Sequence, residues 1–348
     1  MNGGEWGMNK TDELRRIVSN TEVEFSGAVL VRDDQDTLLK EGYGQANRSE
    51  GIPNNVDTRF GMASGCKIFT SIAICQLAEK GVLDFQTRLK DCLDIQFPNF
   101  SEDITIHHLL THTSGAPDYF DEEVTDDYEG IWNEKPMYSV QSPVDFVPLF
   151  QNEKMKFIPG TKFSYSNSGY IILGLIVEQT TGMAFTEYVE NHIFKPCGMT
   201  DSGFFRMDQL PDRVALGYID DKDGWKTNIY SVPVKGGPDG GAFSTVNDLE
   251  KFWNGLLNDK ILSEKYRKIL LTPHVNSNDN IFYGYGVWIS MEQNDVLKYF
   301  VLGFDPGVRM HSSVNMKSKI QTHILSNIDQ SVYPIVKEID DLFQQIAK

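Results

Sequence analysis

The sequence has 348 residues, and its hydrophobic content of 40% is sufficient for one large core or for two closely joined domains. Its 49 acidic residues outnumber the 32 lysines and arginines. The resulting formal net charge of -17 argues against nucleic acid and anionic membrane surfaces as partners. No stretch approaches the roughly 18 consecutive apolar residues that a membrane span needs.

The N-terminus carries no cationic start followed by an apolar run, so we predict no signal peptide. A cytoplasmic location follows, or a periplasmic or extracellular one if a targeting segment has been removed. We expect residues 1–9 to be disordered or foreign to the natural protein, because Met8 is a second candidate start. The four cysteines have neither disulfide-scaffold density nor metal-site spacing, which suits free thiols in a reducing compartment.

Strand-like segments at both ends of the chain enclose a mainly helical middle. This order indicates one sheet that is completed from both termini, with a helical domain inserted. We therefore expect an α/β sheet domain from residues 10–83 and 240–348, and a mainly helical domain with loops from residues 84–239. The predicted elements are, in chain order, a helix at 10–20, strands within 25–60, helices at 64–80, 247–258 and 263–271, strands at 285–289, 296–302, 309–315 and 321–326, and a helix at 333–347.

A serine and a lysine lie three residues apart where the predicted helix 64–80 begins. On a helix Ser64 and Lys67 share a face. Serine needs an adjacent base to become a nucleophile, and a buried lysine can be that base because burial favours the neutral amine. The backbone N–H of Ser64, on the first turn, is a candidate oxyanion donor. A serine and a lysine at this spacing are weak evidence for catalysis when taken alone, and the alternative is that they belong to the start of an ordinary helix. Cys66 points away from both residues and is interpreted as core.

Two further segments carry candidate binding groups. Tyr165 and Asn167 follow a Pro-Gly turn and, in an extended chain, point to the same side, where they supply a proton shuttle and a hydrogen-bonding clamp. Gly303 and Gly307 end a strand-like run, where a glycine lets a ligand lie close against a strand edge.

The segments Ser-Gly-Cys-Lys at 64–67, Tyr-Ser-Asn at 165–167 and Val-Leu-Gly at 301–303 together resemble the serine β-lactamase and penicillin-binding protein superfamily. The Tyr-x-Asn variant is similar to the branch of class C β-lactamases, D-alanyl-D-alanine carboxypeptidases, D-aminopeptidases and family VIII esterases. The resemblance covers nearly the whole chain, with further matches at 25–31, 42–47, 109–115, 194–199 and 240–245. It implies an α/β (α+β) fold with an antiparallel sheet flanked by helices, an all-helical domain, and an active site between them.

The resemblance also implies an acyl-transfer mechanism without cofactor or metal. Ser64 attacks a carbonyl, and Lys67 and Tyr165 share the removal of its proton and the protonation of the leaving group. The backbone N–H groups of Ser64 and Phe304 hold the oxyanion, and water deacylates the enzyme. Asn167 positions Lys67 or a substrate amide. The expected substrate is a small molecule or short peptide, namely an ester, an amide or a β-lactam, and the expected state is a monomer.

One position departs from the pattern. The family has Lys or His at the start of the third motif, where it contacts the substrate, and this chain has Val301. Lys298 and Arg309 are candidate replacements for the missing charge, with solvated surface charges as the alternative. On a regular strand Lys298 faces away from Val301. A neutral-substrate esterase or amidase is therefore favoured over a β-lactamase or D,D-peptidase, and a non-hydrolytic penicillin-binding sensor or scaffold is the third hypothesis.

Two other clusters invite a functional reading. His107, His108 and His112 resemble a metal set, but the helix is broken at Thr113-Ser-Gly, so structural hydrogen bonding is favoured over zinc. The acidic run in residues 118–134 is interpreted as a solvated loop, with an acidic lid that favours cationic substrates as the alternative.

Overall fold

The computed structural model of the protein describes residues 3–21, 24–133 and 135–346. Its strands are β1 (Gly27–Arg32), β2 (Thr37–Tyr43), β3 (Gln45–Asn47), β4 (Ile52–Pro53), β5 (Phe60–Gly61), β6 (Tyr218–Asp221), β7 (Gly224–Thr227), β8 (Phe243–Ser244), β9 (Val275–Asn278), β10 (Ile281–Tyr283), β11 (Trp288–Glu292), β12 (Asp295–Asp305), β13 (Val308–Asn315) and β14 (Gln321–Ser326).

Most of the helices lie between Gly61 and Val275 along the chain, and one further helix lies near each end. They are α1 (Gly3–Ser19), α2 (Lys67–Glu79), α3 (Ile106–Leu110), α4 (Asn167–Thr181), α5 (Phe185–Val189), α6 (Lys195–Cys197), α7 (Val246–Leu257), α8 (Glu264–Leu270) and α9 (Tyr333–Ile346). A π-helical turn, Glu190–Phe194, joins α5 to α6. Short 3₁₀ turns occupy Ala63–Cys66, Leu89–Asp91, Gly130–Asn133, Met137–Ser139, Pro143–Leu149 and Asn228–Tyr230.

An eight-stranded sheet in the order β2-β1-β14-β13-β12-β11-β10-β9 organises the described residues. Every neighbouring pair in it is antiparallel. Strand β1 from the start of the chain pairs with β14 from its end, with Gly27 opposite Ser326. The prediction of an antiparallel sheet completed from both termini is therefore confirmed.

The sheet is buried on both faces. Along β1, Ala28 and Leu30 belong to the large core around α2, whereas Val29 and Val31 belong to a second core. This alternation follows from the period of two along a strand. The second core is completed by apolar residues of α1 and α9, among them Leu14 and Ile339.

Helix α2 runs through the middle of the large core. Its residues from Lys67 to Ala78 are all buried, as its uniformly apolar sequence predicts. The helix ends at Glu79, and Gly81 follows with a φ of +70°, the left-handed conformation that glycine adopts without strain. The predicted end of this helix at residue 80 therefore agrees with the structure to within one residue. This burial fixes the start of the helix, where Lys67 lies, in a rigid position.

Several predicted boundaries differ from the structure. Helix α1 begins at Gly3 rather than at residue 10, so the backbone of residues 3–9 is helical and not disordered as expected. Residues 1 and 2 lie outside the described residues. Residue 347, at the end of the predicted last helix, also lies outside them. Strand β11 starts at Trp288, because residues 284–287 form a turn with a positive φ at Gly286. The division into domains at residues 84 and 240 stays a prediction. None of the described helices is long and apolar enough to cross a bilayer.

Candidate active site

Ser64 lies on a tight turn at the entrance of α2. The chain passes through Ala63 at a φ of +45°, a strained conformation for a residue with a side chain, and then forms the 3₁₀ turn Ala63–Cys66. Side chains at i and i+3 eclipse each other in a 3₁₀ helix. The Nζ of Lys67 therefore lies 2.9 Å from the Oγ of Ser64. The predicted pair is brought together, on a turn tighter than the predicted helix.

The segment 239–242 supports this turn from one side. The N–H of Gly241 donates to the carbonyl oxygen of Ala63 at 3.3 Å, and the N–H of Ala242 donates to the Sγ of Cys66 at 3.1 Å. Cys66 is thus a buried part of the turn, as predicted.

Lys67 is buried, and its ammonium group makes three hydrogen bonds. It donates to the Oγ of Ser64 at 2.9 Å, to the Oδ1 of Asn167 at 2.7 Å and to the carbonyl oxygen of Asp239 at 2.7 Å. An ammonium group has three N–H donors, so each donor has a partner. The predicted contact between Asn167 and Lys67 is present, and Asp239 is a partner that the sequence did not indicate.

The Tyr165 ring covers the other side of Lys67. The Nζ of Lys67 lies 4.8 Å from the ring centroid, and the Tyr165 hydroxyl forms a hydrogen bond with Ser64. Burial raises the pKa of Tyr165 well above its usual value, and the nearby carboxylate of Glu122 acts in the same direction. Tyr165 is therefore a neutral phenol at pH 7. Its ring stacks on Trp288 with an interplanar angle of 11°.

The helix that carries Asn167 is fixed by a carboxylate that the sequence did not single out. Asp118 accepts hydrogen bonds from the N–H groups of Asn167 and Ser168, both at 2.8 Å, at the first turn of α4. Burial raises the pKa of Asp118 to about 7, while these two N–H groups oppose the shift. Asp118 is separated from Asn167 by 49 positions, so no local pattern could reveal the contact.

The other acidic residues of 118–134 are divided between two roles. Asp121 pairs with Lys156 at 2.6 Å and Glu129 with Lys226 at 2.6 Å, as befits a loop held by surface ion pairs. Glu122 instead lines the cavity beside Ser64. Residue 134 lies outside the described residues. The solvated-loop interpretation thus fits part of the run and is wrong for Asp118.

His112 is a buried support for Tyr165. Its ring centroid lies 4.3 Å from that of Tyr165, and its Nδ1 accepts the backbone N–H of Ser166 at 3.0 Å. His108 accepts the N–H of Thr105 at 3.2 Å in the capping box of α3. These hydrogen bonds agree with the structural interpretation of the histidines.

The third motif lies at an open edge of the sheet. Strand β11 pairs with β12 only up to Phe300, so no strand of the described part of the chain pairs with residues 301–305 on that side. Val301 is 2% exposed and packs in the core. A Cβ at Gly303 would lie 2.1 Å from the carbonyl oxygen of Met62, so the glycine accommodates the chain leading to Ser64. Phe304 is 40% exposed and lines the cavity, whereas Val301 and Gly303 are not among its lining residues.

The two candidate replacements for the missing charge are both engaged. Lys298 forms an ion pair with Asp340 on α9, on the opposite face of the sheet. Arg309 places its guanidinium 3.3 Å from the centroid of the Phe304 ring and donates to the carbonyl oxygen of Asp305 at 2.8 Å. Lys298 is thus remote from Ser64, while Arg309 borders the cavity through Phe304.

A cavity opens in front of Ser64 and Asn167. Three carboxyl side chains line it: Asp239, Asp305 and Glu122. Burial raises the pKa of Asp305 to about 7, and the negative charge of Asp239 adds to the shift. Burial also raises the pKa of Asp239, which accepts a hydrogen bond from the hydroxyl of Tyr119. The cavity is therefore rich in acidic groups.

Comparison with known proteins identifies relatives along most of the chain. The Beta-lactamase family matches residues 14–337. The crystal structure of a penicillin binding protein from Bacillus halodurans has 50% sequence identity and a TM-score of 0.90, and the match covers 94% of this chain and 99% of that one. An octameric penicillin-binding protein homologue from Pyrococcus abyssi has 26% identity and a TM-score of 0.77, with 94% of this chain and 74% of that chain covered.

A curated relative gives the same grouping. Penicillin-binding protein 4* of Bacillus subtilis is 30% identical over 284 residues, which is 76% of this chain. The chain spans 60% of that relative's length.

Proposed function

The chain belongs to the β-lactamase family, within the superfamily of serine β-lactamases and penicillin-binding proteins, and from this premise we propose that it hydrolyses small esters or amides through an acyl-enzyme on Ser64. The observation that carries the proposal is the set of three hydrogen bonds around Lys67, because it joins the nucleophile, Asn167 and the segment behind the turn in one site.

Lys67 is the group that receives the serine proton. To act as the base, Lys67 takes the neutral form, and a neutral amine has two N–H donors and one lone pair in place of the three donors of the ammonium group. The two acceptors Asn167 Oδ1 and Asp239 O occupy the donors, so the lone pair faces the Ser64 hydroxyl. When the proton moves to Lys67, the ammonium keeps all three partners in place. The acyl-enzyme forms as Ser64 Oγ bonds to the carbonyl carbon and the leaving group departs.

Tyr165 transfers a proton rather than acting as a free base. Its raised pKa keeps the phenol neutral, so it does not compete with Lys67 for the Ser64 proton in the resting enzyme. A neutral phenol beside both Ser64 and Lys67 can donate its proton to the leaving group and be reprotonated by Lys67. This assignment refines the shared roles that the motifs imply for Lys67 and Tyr165.

The oxyanion of the tetrahedral intermediate lies between the N–H groups of Ser64 and Phe304. The open edge of β12 beside the Ser64 turn supports this placement. Removing one oxyanion donor typically costs roughly 2.7–4 kcal/mol of transition-state stabilisation. Water then enters the cavity and releases the acid from Ser64.

The second candidate function is reaction with penicillins, as a β-lactamase, D,D-peptidase or penicillin-binding protein. The relative from Bacillus halodurans favours it, since that protein is described as a penicillin binding protein and half of the aligned residues are identical. Buried Val301 and the acidic cavity disfavour it, because a penicillin carries a carboxylate. The complete Ser64–Lys67–Asn167 arrangement disfavours the non-hydrolytic sensor or scaffold.

The test is intact-protein mass spectrometry after incubation with a fluorophosphonate and, separately, with a penicillin. Labelling of Ser64 by the fluorophosphonate, with slow or transient penicillin adducts, supports the esterase or amidase. Fast and lasting penicillin adducts support the second candidate. No adduct with either reagent contradicts a serine hydrolase.

We propose that the protein is a monomer, since residues of one chain line the described cavity. Light scattering coupled to size-exclusion chromatography measures it, and an octamer, as in the homologue from Pyrococcus abyssi, contradicts it. The cytoplasmic location stays a prediction.

A further inference from the structure

The two acceptors of the Lys67 amine are each held by one of two consecutive residues. Asp118 accepts the N–H of Asn167, whose Oδ1 is the first acceptor, at 2.8 Å. Tyr119 donates its hydroxyl to the carboxylate of Asp239, whose carbonyl oxygen is the second acceptor. The proposed proton transfer uses the carbonyl oxygen of Asp239 and leaves its carboxylate without a role.

We infer that this carboxylate is the counter-charge of Lys67, an inference that rests on the proposed acyl transfer at Ser64. Asp239 stabilises the ammonium group that Lys67 becomes when it takes the Ser64 proton, and Tyr119 fixes the carboxylate beside it. Asp239 and Tyr119 are positioning residues, since they act through Lys67 and no bond to the substrate forms or breaks at either of them.

The carboxylate of Asp239 is buried without an ion pair. Asp239 is 7% exposed, and no lysine or arginine nitrogen of the described residues lies within ion-pair distance of its side chain. A buried carboxylate without a neighbouring positive charge is costly. Burial raises the pKa of Asp239, and the positive charge of Lys67 is the largest of the influences that lower it. Lys67 is therefore the cation that acts on this carboxylate.

Covalent geometry keeps the charge of Asp239 close to Lys67. The Nζ of Lys67 lies 2.7 Å from the carbonyl oxygen of Asp239. The carboxylate and the carbonyl group of that residue are joined by only two carbon atoms, Cα and Cβ, so the charge lies a few bond lengths from the oxygen that the amine contacts. Opposite charges at such a separation in a buried site attract strongly, because little water screens them.

Tyr119 holds the carboxylate in place. Its backbone N–H donates to the Oγ of Ser168 at 2.8 Å, and its ring packs against Phe146 with the centroids 4.8 Å apart. Burial raises the pKa of Tyr119 well above its usual value, and the negative charge of Asp239 acts in the same direction. The phenol therefore keeps its proton at pH 7 and donates it in a hydrogen bond that favours the ionised form of Asp239.

The charges balance in the step that forms the acyl-enzyme. The O–H bond of Ser64 breaks as the proton passes to the lone pair of Lys67, and the Oγ bonds to the carbonyl carbon of the substrate. Lys67 gains one positive charge, and the substrate oxygen gains the negative charge that the oxyanion donors receive. The charge of Asp239 is uncompensated beside the neutral amine and paired beside the ammonium group, so it favours the proton transfer.

The experiment measures how fast a fluorophosphonate labels Ser64. Fluoride departs from this reagent without a proton, so the labelling rate reports removal of the Ser64 proton and not protonation of a leaving group. Asp239→Asn removes the charge and keeps an oxygen that accepts from Tyr119, and Tyr119→Phe removes the hydroxyl alone. The controls are Asp34→Asn, which removes the same charge from an exposed turn between β1 and β2, and Tyr138→Phe, which removes a hydroxyl from a 63% exposed side chain.

We expect Asp239→Asn to lower the maximal labelling rate about tenfold or more, and Tyr119→Phe to lower it about three- to tenfold, as the loss of a charge-assisted interaction implies. The reagent concentration that gives half-maximal labelling should stay that of the wild type, because neither residue binds the reagent. Asp34→Asn and Tyr138→Phe should label like the wild type. An unchanged maximal rate in Asp239→Asn overturns the inference.

Replacement of Lys67 separates an effect that acts through this amine from a general structural one. In a Lys67→Met background, Asp239→Asn should change the residual labelling rate by roughly twofold or less, because no ammonium group is left to stabilise. A tenfold loss that persists in this background shows that Asp239 only supports the structure, and it overturns the inference while the serine hydrolase stays intact. A wild type that is not labelled at all overturns the proposed function itself.

Discussion

The Oγ of Ser64 and the Nζ of Lys67 are 2.9 Å apart because a 3₁₀ turn places residue i+3 directly above residue i. In an α-helix, which has 3.6 residues per turn, three residues fall short of a full turn, so the two side chains would not lie directly above each other. The strained Ala63 and the buried α2 hold this turn from both ends. The geometry of the proposed nucleophile and its proposed base is therefore built into the backbone.

Replacement of Ser64 by alanine tests the nucleophile. Ser64→Ala removes the hydroxyl without adding volume, so we expect complete loss of fluorophosphonate labelling and of ester hydrolysis with an unchanged melting temperature. Ser71→Ala, about two helical turns beyond Ser64 on α2, is the matched control and is expected to keep the labelling of Ser64. Burial raises the pKa of Cys66 to about 12, so its thiol stays unreactive. Labelling that moves to Cys66 contradicts the assignment.

Lys67 and Tyr165 are expected to act as one unit. Lys67→Met keeps the length of the side chain without the amine, and Tyr165→Phe removes the hydroxyl alone. Each change should remove most of the acylation rate, and the double variant should lose little more, because groups that share one proton-transfer step are far from additive. The rates are measured by stopped-flow acylation with p-nitrophenyl acetate. Strictly additive losses contradict the shared role.

The sequence predicted the sheet, the buried helix and the three motifs because these depend on local patterns. Alternating and continuous apolar runs revealed the strands and α2, and short motifs located Ser64, Lys67, Tyr165 and Asn167. Contacts between distant segments have no such pattern. The carbonyl oxygen of Asp239 reaches Lys67 across 172 positions.

The third motif is another case in which the sequence did not reveal a contact between distant segments. A glycine at position 303 predicts a close approach at the strand edge, and the structure has one, but the partner is the carbonyl oxygen of Met62. Which partner fills the space depends on how the sheet and the Ser64 turn pack together. Asp305 was likewise hidden, because its importance comes from sharing a cavity with Asp239 and Glu122.

Asp118 is expected to position Asn167. Asp118→Ala leaves the N–H groups of Asn167 and Ser168 without their acceptor, and a lost helix cap of this kind costs roughly 0.5–2 kcal/mol of stability. We expect a lower melting temperature and slower acylation by p-nitrophenyl acetate. Asp126→Ala, an exposed change in the same acidic run, is the control. An unchanged acylation rate in Asp118→Ala contradicts the positioning role.

The stability of the protein should fall with rising pH because of Asp305. Its pKa is about 7 in the folded protein against 3.8 usually, so the folded state keeps a proton that the unfolded state loses between about pH 4 and pH 7. Asp305→Asn has no ionisable group at this position, so its stability should not fall over this pH range for this reason. Thermal unfolding should show equal melting temperatures for the variant and the wild type at pH 4, and a variant more stable by roughly 1–3 kcal/mol at pH 8. An equal gain in Asp34→Asn would mean that the effect is only the reduced net charge.

The final prediction concerns Val301 and anionic substrates. Val301 faces the same side of β12 as Gly303 and is buried. The resemblance implies a Lys or His at this position, and the two candidate replacements, Lys298 and Arg309, are engaged with Asp340 and with Phe304. The wild type should therefore hydrolyse p-nitrophenyl acetate readily and nitrocefin, which carries a carboxylate, poorly. Val301→Lys supplies a charge-assisted partner and should raise the nitrocefin-to-ester ratio of kcat/KM by roughly ten- to a hundredfold.

Val301→Met is the matched control, because methionine is similar in length to lysine and carries no charge. Its nitrocefin-to-ester ratio of kcat/KM should stay near that of the wild type. Both variants enlarge a buried side chain, so overpacking of about 1–3 kcal/mol affects them alike and cancels in the comparison. A wild type already efficient on nitrocefin shows that another residue supplies the charge. Arg309 is then the residue to replace, since its guanidinium covers the Phe304 ring at the border of the cavity.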